Sequence, residues 1–405
     1  MSKTRRARPI LKGFALLATL GVLAAGVLLG ALWLEHRTGI ALPAPTGAFA
    51  VGRATYAWAD EAHSEPLAPV PGTKRELLVW ICYPAAPRQP LQTVDYLPAA
   101  WRMALERRIG GLFTLLTRDL SRVRTHSLRD AEVSPRRRSY PVALMRGGLA
   151  ALTTDYTTLA EDLASHGYVV LGFDAPYRTI VVVLPHGKVV ARARQNDADL
   201  VSGPEREQVA NKLVRAWSAD MSFALDRLER LNASDPSGRF LGRLDMQRVG
   251  VFGHSLGGAT ALQFCHDDAR CKAGIDIDGA PLGSVVAEGV KQPFMFLLSD
   301  HSSEPDAETR PVKAHIRSIY DRLPGGRRFE IAIRGANHFG FSDPLKSHIV
   351  LRTLRMLGIL GMDGRRQLAV TAYCVHSFFD AYLQGSGVSR LKTSSPLYPE
   401  IQVIE

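Results

Sequence analysis

The sequence predicts an α/β fold, a mostly parallel sheet with helices on both faces, preceded by one N-terminal helix long enough to cross a membrane. Three observations carry this. From residue 77 onwards strand-like runs alternate with helix-like ones, the order that yields a parallel sheet. Residues 248 to 264, RVGVFGHSLGGATALQF, read as a buried strand, a glycine-bounded turn and a helix. Val249, Val251 and Phe252 supply the strand, and Ala259, Ala261, Leu262 and Phe264 recur at helical spacing. Residues 13 to 34 are 22 consecutive residues without a charge, a length that spans a bilayer.

Residues 1 to 12 carry Lys3, Arg5, Arg6, Arg8 and Lys12 ahead of that apolar run. By the positive-inside rule this end stays in the cytoplasm and the rest of the chain is exported, to the periplasmic or extracellular side. The run is longer than the apolar region of a cleaved signal peptide, so residues 13 to 34 are expected to be a signal anchor. Ala-Leu-Pro-Ala at 41 to 44 and Ala-Phe-Ala at 48 to 50 are the candidate cleavage sites of the alternative, a secreted form. The net charge of +11 is partly this cluster, and the other cations are scattered except for Arg136, Arg137 and Arg138. That is a solvated loop rather than a nucleic-acid footprint.

Residues 35 to 72, rich in Ala, Pro and Gly, are expected to be a linker and irregular lead-in. The catalytic domain is expected over 73–385 and a C-terminal tail over 386–405. LLVWICYP (77–84) is a strand, and WRMALERRIGGLFTLLTRDL (101–120) a helix covering the core or lying against a membrane. YPVALMRGGLA (140–150) is a strand leading into a two-glycine loop, followed by a helix in YTTLAEDLASHGY. VVLGFDAPYR (169–178) is the next strand. VVVLPHGKVV reads as a hairpin turning at Pro185 to Gly187. Residues 205 to 231 form a long helix, with Val209, Leu213, Trp217, Met221, Leu225 and Leu228 on its buried face. KAGIDIDGAP, QPFMFLLSD and RRFEIAIRGANHF supply three more strands. Ligands in such sheets bind beyond the carboxyl ends of the strands, where Ser255, Asp278, Asp300 and His338 fall.

Of the four cysteines, Cys82, Cys265, Cys271 and Cys374, the pair Cys265 and Cys271 is expected to form a disulfide, because they flank the turn HDDAR between helix and strand. Export permits the bridge, and closing so short a loop contributes about 2 kcal/mol. A metal site using His266 and Asp267 lacks ligand spacing.

The chemistry gathers on the turn at 253–257. GHSLG fits the nucleophile elbow GxSxG, where Gly253 and Gly257 admit a turn that pushes the serine hydroxyl out of the sheet. A serine hydroxyl needs an imidazole to take its proton and a carboxylate to fix the imidazole's tautomer. His338, in the loop after the last strong strand, is the expected base. His254 is adjacent to the nucleophile and expected to point elsewhere, and His301, His315 and His348 are less suitably placed. Asp278 and Asp300 end successive strands and are equally placed as the acid. Asp276, two residues before Asp278, is expected to be structural. The two-glycine loop after 146 is the expected source of one oxyanion-hole donor.

These segments, together with DLASHGYVV and GANHFGFSD, resemble the platelet-activating factor acetylhydrolases of the plasma and type II group and their bacterial relatives, over roughly residues 77 to 345. The resemblance implies an α/β-hydrolase fold, Asp278 as the acid, and the backbone N–H groups of Leu149 and Leu256 as the oxyanion hole. It implies a serine ester hydrolase acting on short-acyl esters such as acetylated phospholipids. The alternatives are a cutinase-like polyesterase or dienelactone-type hydrolase, and, in another class, a silent fold that binds lipid or a partner. The chain departs from the family in carrying Arg146-Gly147-Gly148 where a histidine and glycine commonly precede the leucine. Arg146 is expected to face an anionic headgroup or lie at the surface. No metal, organic cofactor or nucleic acid is expected, and membrane contact is expected through residues 13 to 34.

Overall fold

The computed structural model describes residues 4–87, 92–300, 309–393 and 395–404. Eight strands form the centre of one sheet: β1 (Ala50–Ser64), β2 (Lys74–Ala86), β3 (Tyr140–Arg146), β4 (Val169–Asp174), β5 (Leu244–His254), β6 (Cys271–Ile277), β7 (Phe294–Leu298) and β8 (Arg328–Ile333). Their spatial order is β1-β2-β4-β3-β5-β6-β7-β8. From β4 to β8 neighbours run parallel, whereas β2 is antiparallel to both β1 and β4. This is the α/β-hydrolase fold.

The principal helices are α1 (Thr4–His36), α2 (Ala99–Ile109), α3 (Thr157–Ser165), α4 (Gly203–Ala233), α5 (Leu256–Asp267), α6 (Thr309–Arg322), α7 (His348–Met356) and α8 (Gly364–Leu383). Strand alternation divides the core in two. Val142, Leu144, Val249 and Val251 pack with side chains of α4, α5 and α6, such as Leu225, Leu262 and Ile319. Ala143, Met145 and Phe252 face the other way, onto Leu159 of α3 and Phe378 and Phe379 of α8. β3, β4 and β7 are buried on both faces along their whole length, which is why these segments read as continuous apolar runs.

Three stretches differ from the expectations. The lead-in holds β1, a 15-residue strand paired with β2. Its Ala and Gly content conceals an alternation that places Ala54 and Trp58 in the core. The helix expected over 101–120 stops at Ile109, because Gly110 adopts φ 84°, and continues only as a turn at Gly111–Thr114. Its first half is core cover, with Trp101 edge-on to Trp80 at 5.6 Å; beyond the break Phe113 is exposed. The C-terminal tail ends in β9 (Ile401–Ile404), which pairs antiparallel with β8. The hairpin at 181–191 and the long helix α4 form where expected. Lys3 and His301 lie outside the described residues.

Candidate active site

The neighbours of β5 place its carboxyl end. Gly253 is in register with Arg146 of β3 on one side and Asp276 of β6 on the other. Ser255 follows as the first residue off the strand, at φ 57° and ψ −127°. A side chain in that region costs about 1–3 kcal/mol and is held only by its surroundings. Ser255 N–H donates to Ile277 O at 2.8 Å, and Ser255 O accepts from Gly258 N at 2.8 Å. The glycines are sterically required: a Cβ on Gly253 would lie 2.1 Å from Gly257 O, and one on Gly257 2.2 Å from Arg146 O.

Two hydrogen bonds join the three expected side chains. Ser255 Oγ donates to His338 Nε2 at 3.1 Å, and His338 Nδ1–H donates to Asp278 Oδ2 at 2.8 Å. The other oxygen of Asp278 accepts from both the N–H and the hydroxyl of Ser299, each at 2.8 Å. The carboxylate is thus oriented from behind. Asp300 is used differently: its Oδ2 accepts from Gly335 N at 2.5 Å and its N–H donates to Ala336 O at 3.1 Å. It braces the loop that carries His338 and leaves the imidazole to Asp278.

The His338 loop has a second brace. Gln367 of α8 accepts from Asn337 N at 3.1 Å and donates to Asn337 O at 2.8 Å. Asn337 Oδ1 in turn accepts from the N–H groups of Phe339 and Gly340. Neither Ser299, Asn337 nor Gln367 was singled out by the sequence, since amides and hydroxyls in such positions carry no spacing signature.

His254 is buried beneath His338, ring centroids 4.6 Å apart, but its Nδ1 accepts from Tyr156 Oη at 2.8 Å. The Tyr156 oxygen accepts from Gly148 N–H at 3.0 Å. Burial, reinforced by the adjacent His338, lowers the His254 pKa to about 3, so its ring is uncharged at neutral pH. Asp276 is also fully buried, and burial raises its pKa to about 8. Its Oδ1 accepts from Gly279 N at 2.8 Å, under the elbow. His315 and His348 lie on α6 and α7.

The two-glycine loop lies against the serine: a Cβ on Gly148 would be 3.2 Å from Ser255 Cβ. Leu149 and Leu256, the expected donors, are half-buried and pack together with Trp217 and Val209. Arg146 neither meets a headgroup position nor lies at the surface. It is 1% exposed, its guanidinium 3.9 Å from the Trp217 ring centroid and hydrogen-bonded to Phe173 O at 3.2 Å. The cause is the two-residue period of β3, which puts Arg146 on the same face as Leu144, against α4. Burial lowers its pKa to about 10, so it remains a cation.

Two cavities adjoin His338. One, about 510 Å³, is lined by Phe339, Leu351, Leu354, Ile359, Leu360 and Met362 among others. The other, about 600 Å³, reaches Asp278 and is walled by Val312, Ile316 and Ala332. Away from the site, Cys265 and Cys271 stand with Cα atoms 5.1 Å apart and their sulfurs at bonding distance. Cys82 and Cys374 are buried and separate.

Comparison with known proteins adds relatives to this geometry. The profile of the family described as platelet-activating factor acetylhydrolase, isoform II, matches residues 40–383. A platelet-activating factor acetylhydrolase of Canis lupus familiaris is 28% identical over 221 residues, covering 50% of this chain and 48% of its own. A probable 1-alkyl-2-acetylglycerophosphocholine esterase of Arthroderma benhamiae is 24% identical and covers 90% of this chain and 94% of its own. Cutinase 2 of Thermobifida cellulosilytica is 26% identical over 51% of this chain and 66% of its own. Among solved structures, a ferulic acid esterase from Streptomyces cinnamoneus superposes with TM-score 0.73 at 27% identity, covering 91% of this chain and 100% of its own. The chain spans about half the length of the mammalian relatives it matches.

Proposed function

The chain belongs to the platelet-activating factor acetylhydrolase, isoform II, family, and from that premise we propose that it is a serine ester hydrolase working through an acyl-enzyme on Ser255. The observation that carries the reading is the unbroken line from Ser255 Oγ to His338 Nε2 at 3.1 Å and from His338 Nδ1 to Asp278 Oδ2 at 2.8 Å, on a strained turn in an α/β-hydrolase sheet. His338 takes the hydroxyl proton as Ser255 attacks the ester carbonyl, and the negative charge gathering on the carbonyl oxygen is met by the N–H groups of Leu149 and Leu256. His338 then protonates the departing alcohol. Water, deprotonated by the same imidazole, releases the acid. Asp278 holds the tautomer and stabilises the imidazolium.

The substrate class is a short-acyl ester on a lipid-like alcohol, such as an acetylated phospholipid. Supporting this are the family, the fungal relative, a probable 1-alkyl-2-acetylglycerophosphocholine esterase, and an apolar cavity of about 510 Å³ beside the base. A second reading, a polyester or aryl ester as substrate, is favoured by the cutinase and ferulic acid esterase relatives. A panel of acetylated phospholipid, long-acyl phospholipid, feruloyl ester and polyester film decides. The first reading expects the highest kcat/KM on the acetylated phospholipid, and a preference for film or feruloyl ester would replace it.

The same proposal makes α1 an uncleaved anchor, with the enzyme on the exported side of the membrane. Its segment Gly13–His36 has a mean hydropathy of 2.3. In addition, Arg118, only 5% exposed, is bonded to the Glu35 carboxylate at 2.7 Å. Cleavage at either candidate site would remove that partner together with the other contacts of Glu35 to residues 118 and 347–349.

A further inference from the structure

We infer that the enzyme is seated on the bilayer rather than tethered above it, with Phe113 and Phe339 dipping into the outer leaflet beside the catalytic mouth. This rests on the reading of α1 as an anchor.

There is no slack between the span and the catalytic domain. The uncharged run 13–34 is about 33 Å long as a helix, close to the thickness of the hydrocarbon layer. The next residue, Glu35, is already locked into the domain. Its carboxylate accepts from Arg118 Nη2 at 2.7 Å, Ser347 Oγ, His348 N at 2.6 Å and Ile349 N at 3.3 Å. It thereby caps the amino end of α7. Its carbonyl accepts from Arg118 Nη1 at 2.8 Å, and the His36 carbonyl accepts from Asp119 N at 3.0 Å. His36 Nδ1 reaches Thr117 O at 2.7 Å. Residues 117–119 and 347–349 are therefore held at headgroup level as soon as the helix leaves the membrane.

Two exposed aromatic rings precede these segments in the sequence. Phe113, 65% exposed, is four residues before Thr117, and Phe339 is 68% exposed. Thr117 bridges to Lys346, whose ammonium lies 4.8 Å from the Phe339 ring centroid. Exposed Arg107 and Arg108 precede Phe113 in the sequence, and exposed Lys346 and Arg352 follow Phe339, cations of the kind that meet lipid headgroups beside apolar side chains. Phe339 directly follows His338, and both line the apolar cavity of about 510 Å³. A lipid ester can thus pass from leaflet to base along an apolar wall.

The test uses the full chain in vesicles of phosphatidylcholine and phosphatidylglycerol, with spin labels on single cysteines introduced by Leu23→Cys, Phe113→Cys, Phe339→Cys and Ser237→Cys. Collision with oxygen and with a water-soluble nickel chelate reports depth. Labels at 23, 113 and 339 are expected in lipid, the first deep and the others shallow, with 237 in water. Lipid at 23 with water at 113 and 339 overturns the seating and leaves the anchor reading intact; water at 23 overturns both. Glu35→Ala is expected to bring the labels at 113 and 339 into water and to lower hydrolysis of a vesicle-embedded ester several-fold while p-nitrophenyl acetate hydrolysis holds. Unchanged depths and unchanged vesicle activity in Glu35→Ala would show that the clamp does not set the seating.

Discussion

Tyr156 and His254, 98 residues apart, share a 2.8 Å hydrogen bond directly beneath the proposed base. Because the same tyrosine oxygen accepts from Gly148 N–H, it couples the proposed oxyanion loop to the strand end that carries Ser255. With Gly148 N–H committed to Tyr156, the N–H of Leu149 is the proposed oxyanion donor of this loop.

Tyr156→Phe should therefore relax the loop without touching the reacting atoms. The expected result is a fall in kcat of roughly tenfold, about 1.4 kcal/mol, with little change in KM. Steady-state kinetics on a soluble ester, with Tm measured alongside, check this. A lowered Tm with kcat intact would reduce Tyr156 to a packing role.

Asp278→Asn and Asp300→Asn separate the two carboxylates. The first removes the acceptor that fixes the His338 tautomer and is expected to lower kcat by roughly 10³–10⁴-fold. The second removes only the brace on Gly335 and is expected to cost far less. A larger loss from Asp300→Asn would reverse the assignment of the acid.

Asp276 makes stability depend on pH. Its pKa is raised by burial to about 8, against an ordinary value of 3.8. Below 3.8 both states hold the proton. Between 3.8 and about 8 the folded state binds a proton that the unfolded state has lost, so this group's contribution to stability falls as pH rises. Asp276→Asn cannot ionise and keeps an acceptor for Gly279 N–H. Its Tm is expected to decline less than that of the unmodified protein between pH 5 and pH 8 (window set by the two values above). Parallel Tm curves would contradict the buried neutral acid.

Cys265 and Cys271 are expected to be oxidised in protein recovered from the exported side. Peptide mapping under non-reducing conditions should find the linked pair, and Cys265→Ala/Cys271→Ala should unfold about 2 kcal/mol more easily. Free thiols at both positions would refute the bridge.

Much of the site was legible because its signals are local. The elbow is five consecutive residues whose glycines answer to specific close contacts, and His338 follows a strand of unmistakable composition. The residues alone left Asp278 and Asp300 level, because both end neighbouring parallel strands; what separates them is Ser299, which aims one carboxylate, and Gly335, which engages the other. Tyr156 and Gln367 act across long sequence separations through single hydrogen bonds and left no pattern to read. Two misreadings had signals available. The two-residue period of β3 places Arg146 with Leu144 on the buried face, and Gly110-Gly111 marks the break in the helix expected over 101–120. The strand β1 was hidden by small residues, which pack as strand only because β2 lies beside them.

The central claim is that Ser255 is a nucleophile activated by His338. Labelling of the full-length protein with a fluorophosphonate, followed by peptide mapping, tests it most directly. The expected result is one adduct, on Ser255, lost in Ser255→Ala and strongly slowed in His338→Ala, with ester hydrolysis falling in parallel. An unlabelled protein, an adduct on another residue, or full hydrolysis by Ser255→Ala would contradict it.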